Sequence, residues 1–144
     1  MMIVLLADGN RVTERWGELP AEETKSFLIL QTSGLREPKR TYAPLYIATA
    51  AAAMDMDVSI WFTMEGVSQL KKGEAEKIEL VAGSGITLKT WLDRARDAGV
   101  GFLVCAQAME AERLGMDDII DGCEMAGATA ILDMTLEVDR VMYF

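Results

Sequence analysis

The run Phe27-Leu28-Ile29-Leu30-Gln31-Thr32 constrains this chain more than any other segment, because it is apolar at consecutive positions and stops at Ser33-Gly34. A strand with one face in water alternates apolar and polar side chains, whereas a strand buried on both faces does not. Burial on both faces is the condition of a parallel sheet covered by helices, and parallel neighbours must be joined by long crossovers. The rest of the sequence supplies them. Val58-Ser59-Ile60-Trp61-Phe62-Thr63 reads as a second strand and Val100-Gly101-Phe102-Leu103-Val104 as a third. Thr129-Ala130-Ile131-Leu132 reads as a short fourth, and Arg140-Val141-Met142-Tyr143-Phe144 as a fifth.

Helices are expected between these strands. One starts at Pro44, a residue suited to a first helical turn, and runs to about Met56 through Ala48, Ala50, Ala51, Ala52 and Ala53. A short helix is expected over residues 65–72, followed by a loop over 74–85. Leu88, Trp91, Leu92, Ala95 and Ala98 recur at helical spacing between Thr87 as cap and Gly99 as stop. Residues 106–113 form another helix, and residues 117–126 a further one opened by Asp117 and Asp118; Asp133 caps a turn through Val138. The rhythm of strand and helix predicts an α/β fold with a parallel sheet flanked by helices. At 144 residues the chain has the length of one domain, with residues 1–26 as an N-terminal arm or extra strand.

Composition narrows the chemistry. Histidine is absent, which removes Ser-His-Asp and Cys-His nucleophiles, imidazole metal sites and the usual neutral-pH proton shuttle. The 14 basic and 23 acidic residues leave a formal charge of −9, the wrong sign for counterion release from nucleic acid. Nucleic acid is therefore not an expected partner. Cys105 and Cys123 are too few for a disulfide scaffold and too far apart for a CxxC motif, which points to a reduced, cytoplasmic setting. The apolar start at residues 1–7 meets Asp8 and Gly9 before it reaches the length of an export signal. Residues 43–54, the longest later apolar stretch, fall short of the roughly 18 needed to span a membrane, so no membrane partner is expected.

Ligands and reactive groups in an open α/β sheet gather beyond the carboxyl ends of the strands. Cys105 follows the third strand there. With a helix starting at Ala106, its thiol lies near unpaired backbone N–H groups that favour a thiolate or a persulfide anion. A small buried hydrophobe ending a strand is the competing description of the same residue. Cys123 shares a predicted helical face with Ile119, Ile120 and Ala126 and reads as core. The loop after Thr32-Ser33-Gly34 has neither GxxxxGK[ST] nor GxGxxG, so no nucleotide or flavin cofactor is expected. Arg36, Lys39 and Arg40 read as a solvated turn, and Asp117, Asp118 and Asp121 as helix-start caps rather than a metal cluster. Met109 falls one helical turn beyond Cys105, where its thioether either lines a sulfur pocket or fills the core.

The order of these pieces resembles the DsrE/DsrF-like family of small sulfur-relay proteins. The resemblance runs from about Phe27 to Phe144. It is carried by Phe27-Leu28-Ile29-Leu30-Gln31-Thr32-Ser33-Gly34, by the Ala-rich helix from Pro44, and by Cys105-Ala106-Gln107-Ala108-Met109 with Leu114-Gly115-Met116. Ile120-Asp121-Gly122-Cys123-Glu124 and the closing Asp139-Arg140-Val141-Met142-Tyr143-Phe144 complete it. It implies a three-layer α/β/α domain, flavodoxin-like in outline with a mainly parallel sheet of about five strands, assembled as a dimer, trimer or hexamer. It also implies that Cys105 accepts sulfane sulfur as a persulfide from a donor protein and passes it to an acceptor, chemistry that needs no histidine, cofactor or metal. Gln107 and the helix-start N–H groups then steady the anion, and Thr32, Ser33 and Gly34 form the opposite lip. Two other readings remain at this point. One is a non-catalytic oligomeric binding or scaffold protein with an inert Cys105; the other is a flavodoxin-like flavin or nucleotide binder.

Overall fold

A computed structural model describes residues 24–144, so the arm or extra strand expected over residues 1–26 lies outside the described residues except for its last three positions. Ser26 opens the first strand. Among the described residues β1 (Ser26–Gln31), β2 (Asp57–Phe62), β3 (Gly101–Cys105), β4 (Cys123–Ala126) and β5 (Arg140–Tyr143) form one sheet in the order β4-β3-β2-β1-β5. Every adjacent pair is parallel. The α/β class and its parallel sheet are therefore those expected from the buried run in β1.

Strand order and handedness together decide where the helices lie. From β1 to β4 the chain moves steadily toward one edge, through α1 (Tyr42–Ala53), α2 (Leu88–Asp97) and α3 (Ala106–Ala111). It then returns across the whole sheet to β5 through α4 (Ala128–Glu137). Right-handed crossovers put connections running in opposite directions on opposite faces. Accordingly Ile29, Ile60, Phe62, Phe102 and Val104 pack with Leu45, Ala48, Leu92, Ala95 and Met109 in one core, while Leu28 and Leu30 pack with Ile131 and Ala126 in another. Consecutive residues of β1 thus enter different cores, which is why the run is apolar throughout.

Most local expectations hold. In α2, Leu88, Leu92 and Ala95 are buried at the spacing of one helical face. Pro44 lies at the third position of α1, still in the first turn, where an N–H would have no intrahelical acceptor. The segment after β2 is a 3-10 helix, Met64–Leu70, packed so tightly on the end of β1 that a Cβ on Gly34 or Gly66 would run into the carbonyl oxygen of Glu65 or Gln31 respectively.

Three expected elements are different. The helix over residues 117–126 does not form: Met116–Asp118 is a single 3-10 turn, Gly122 has φ +80, and Cys123–Ala126 is β4. A left-handed glycine interrupts the helical spacing, and β3 offers an edge with which this segment can pair. Cys123 is therefore on a strand rather than a helical face. The strand expected at residues 129–132 and the turn expected from Asp133 through Val138 are instead one helix, α4, with Asp133 in its interior; Ile131 and Met134 face the sheet, and Val138, the residue after the helix, packs on the same core. Because β4 and β5 are parallel strands of one sheet, the connection must run back from the carboxyl end of the sheet to its amino end, and a helix covers that distance while satisfying its own backbone.

Candidate functional site

Cys105 is the last residue of β3 and the residue on which α3 begins, with φ −70 and ψ 117. The change from extended to helical backbone at this point exposes the first-turn amides of α3 at the carboxyl edge of the sheet. Cys105 is 6 % exposed and borders a cavity of about 400 Å³ lined also by Trp61, Thr63, Ala106, Gln107, Glu110, Gly127 and Ala128. These residues come from the ends of β2, β3 and β4 and the starts of α3 and α4. The Trp61 indole Nε1 donates to the Ala126 carbonyl oxygen at 3.3 Å, tying the second strand to the end of the fourth. Gln107 and Glu110 are exposed on the outer face of α3, while Ala108 and Met109 point into the core.

The other expected site residues are distributed by the same geometry. Met109 is 2 % exposed, packed in the core, and absent from the cavity lining. A position one turn after Cys105 faces the sheet because α3 lies on it. Thr32, Ser33 and Gly34 line a neighbouring cavity of about 430 Å³ with Arg36, Glu37, Arg40, Met64 and Glu65. Thr63 and Met64, adjacent in sequence, line one cavity each, and the Thr63 N–H donates to the Gln31 carbonyl oxygen at 3.0 Å. The Thr32–Gly34 loop is thus beside the Cys105 cavity rather than across it. Several of its groups are already engaged: the Thr32 hydroxyl and N–H donate to the Phe144 carbonyl oxygen at 2.6 and 2.7 Å. The Ser33 carbonyl oxygen accepts from Gln31 Nε2 at 2.8 Å and Gln69 Nε2 at 2.7 Å, and both glutamines are fully buried.

Cys123 occupies the opposite end of the sheet. It pairs in register with Phe102, whereas Cys105 pairs with Ala126, three residues further along. Three strand residues are about 10 Å, beyond the Cα separation a disulfide permits, and both thiols are free. Burial pushes the Cys123 thiol up to about 11; the Arg96 guanidinium opposes this and the Asp121 carboxylate reinforces it. Asp118 accepts from the Gly115 N–H at 2.8 Å from the third position of the 3-10 turn Met116–Asp118, rather than capping a helix over 117–126, and Asp121 pairs with Lys72. Arg36 and Arg40 pair with Glu65 and Glu37 at exposed positions. Among the described residues no group of three or more Cys, Asp or Glu is placed to hold a metal ion, and no helix is long and apolar enough to cross a membrane.

Trp61, Thr63, Glu110, Gly127 and Ala128 are the cavity residues that sequence reasoning missed. Strand alternation offered one signal, since Trp61 lies between the buried Ile60 and Phe62 and so points to the opposite face of the sheet, where it packs on the second core while also touching the first. Helical spacing from Gln107 offered another for Glu110. Nothing local marks Gly127 and Ala128 as lining, because residues 129–132 read as a strand and hide the start of α4.

Comparison with known proteins agrees with this architecture. The model of the DsrE/DsrF-like family matches residues 25–144. The chain is 26 % identical over 133 residues to the uncharacterized protein MJ0760 of Methanocaldococcus jannaschii, covering 90 % of this chain but only 46 % of that protein. It is 21 % identical over 159 residues to the sulfur carrier protein DsrE2 of Allochromatium vinosum, covering 84 % and 99 %. The ychN protein of E. coli superposes with a TM-score of 0.69 at 17 % identity, over 85 % of this chain and all of that one. MTH1491 of Methanobacterium thermoautotrophicum gives 0.59 at 12 % identity with the same coverage.

Proposed function

The chain belongs to the DsrE/DsrF-like family, and from that premise we propose that it is a sulfur carrier whose Cys105 accepts sulfane sulfur as a persulfide and passes it to a partner protein. The observation that carries the reading is the placement of Cys105 at the carboxyl end of β3, on the rim of a cavity of about 400 Å³ and at the start of α3. A thiolate there attacks the outer sulfur of a donor persulfide; the new S–S bond forms on Cys105 and the donor leaves as a thiolate. The first-turn amides and the Gln107 side chain steady the terminal sulfur. An acceptor thiolate repeats the exchange in the other direction, so the cycle needs no redox partner. The likeness to a protein named a sulfur carrier supports the same reading. On this reading the chain works in a reducing compartment, the cytoplasm, as a homo-oligomer that meets separate donor and acceptor proteins.

The low exposure of Cys105 favours a second reading, a binding or scaffold subunit with an inert cysteine. Intact-mass spectrometry after incubation of the reduced protein with a sulfane-sulfur donor separates the two. The carrier reading expects a gain of about 32 Da, lost in Cys105→Ser and retained in Cys123→Ser. A folded protein that gains no mass from several donors, or loads equally in Cys105→Ser, refutes it.

A further inference from the structure

The Cys105 cavity carries one charged side chain in its lining, and it is acidic. Around the thiol, Trp61, Thr63, Ala106, Gln107, Gly127 and Ala128 are neutral, and Glu110 supplies a carboxylate from the outer face of α3. Ala106, where α3 begins, and Glu110 are four residues apart, which puts the two on one face of the helix, and both line the cavity beside Cys105. Of the cations nearest in sequence to the neighbouring loop, Arg36 and Arg40 line the other cavity and pair with Glu65 and Glu37, and Lys39 lies outside the Cys105 lining. A donor that places its reacting sulfur against Cys105 therefore brings its own substituents up to Glu110.

We propose that Glu110 makes this cavity selective for sulfur donors carrying positive charge beside the reacting sulfur, and against small anionic donors. This rests on Cys105 being the reactive thiol. The donor class it implies is a persulfide presented from a basic protein surface, not a free dianion such as thiosulfate. A fixed charge at the mouth of a cleft attracts one sign of ligand and repels the other, so the discrimination has an attractive and a repulsive half.

The test uses three disulfides that differ in charge: cystamine with two ammonium groups, 2-hydroxyethyl disulfide with none, and dithiodiglycolate with two carboxylates. Each reacts in the same way. The Cys105 thiolate forms a mixed disulfide, the reagent's S–S bond breaks, and the departing thiolate takes the electron pair. Rates are measured at low ionic strength in a Cys123→Ser background and compared between Glu110 and Glu110→Gln for each reagent, which cancels intrinsic reactivity. Glu112→Gln, on an exposed residue outside the lining, removes the same net charge.

Glu110→Gln is expected to slow cystamine, speed dithiodiglycolate and leave the neutral reagent within about twofold. The ratio of cationic to anionic rates then falls about tenfold, and the difference disappears near 1 M salt, where the Debye length is about 3 Å. Glu112→Gln moves that ratio by less than about threefold. If the neutral disulfide labels Cys105 but Glu110→Gln leaves the ratio unchanged, or Glu112→Gln shifts it as far, the selectivity proposal is overturned and the carrier reading stands. If the neutral disulfide does not label Cys105 in the folded protein, both are overturned.

Discussion

Gly34→Ala adds one methyl group where the end of β1 passes under the 3-10 helix Met64–Leu70. The new carbon would collide with the Glu65 carbonyl group and with Ser68 Oγ. Neither obstacle can swing aside cheaply. Glu65 presents backbone, and Ser68 Oγ accepts from the Leu35 N–H at 3.0 Å while donating to the Glu65 oxygen at 2.7 Å. Gly34 does not occupy the left-handed region, so the effect is steric rather than torsional. Overpacking of a tight contact costs about 1–3 kcal/mol, and distorting two hydrogen bonds adds about 1 kcal/mol for each one lost. The reduced freedom of the unfolded alanine chain returns about 0.5 kcal/mol. A net destabilisation of about 3 kcal/mol follows, which at a urea m-value near 2 kcal/mol/M lowers the midpoint by about 1.5 M. Gly127→Ala is the comparator, since a Cβ there meets nothing within 4 Å; its midpoint should move by no more than about 0.5 M, the scale of a helix-cap change. Equilibrium urea unfolding followed by tryptophan fluorescence measures both. A Gly34→Ala midpoint within 0.3 M or so of the parent, at unchanged m, refutes the claim that backbone contact at Gly34 holds the loop against the 3-10 helix.

Two further outcomes follow from the same geometry. Because burial holds the Cys123 thiol near 11, its alkylation at pH 8 should run about 100-fold slower than that of a thiol at its ordinary value and rise tenfold per pH unit up to that point; peptide mapping after iodoacetamide labelling at several pH values measures it, and a plateau below pH 9 contradicts the buried setting. Asp139 accepts from the Ser26 N–H at 2.8 Å and from its hydroxyl at 3.2 Å, pinning β5 to the start of β1, and the Ser26 backbone bond is the main reason its carboxyl is held below the usual range. A carboxyl depressed by folding stabilises above its unfolded value and loses that contribution as pH falls through the folded one. Asp139→Asn should therefore unfold at lower urea than the parent at pH 7, with the gap closing below about pH 4; a gap that persists unchanged at pH 2.5 contradicts the assignment.

Local torsional and periodic signals were enough for β1, β2, β3, β5 and α2. A strand buried on both faces advertises itself by consecutive apolar residues, and an amphipathic helix by the spacing of Leu88, Leu92 and Ala95. The same signals placed Cys105 at a strand end facing a helix start, because strand and helix on either side of it are each legible on their own. They failed over residues 117–132. There the spacing of Ile119, Ile120, Cys123 and Ala126 suits a helix, yet Gly122 turns left-handed and the exposed edge of β3 recruits Cys123–Ala126 as a strand. The following segment became α4 because the chain had to recross the sheet to reach β5, a requirement set by strand order rather than by any nearby residue. The lining of the cavity belongs to the same class of fact. Trp61, Thr63, Cys105, Glu110 and Gly127 are separated by up to 66 positions in sequence, and they meet because parallel strands of matched register end together. Local sequence encodes which torsions each segment prefers; which segment ends become neighbours follows from lateral strand order and the hand of the crossovers, both of which arise from contacts distant along the chain.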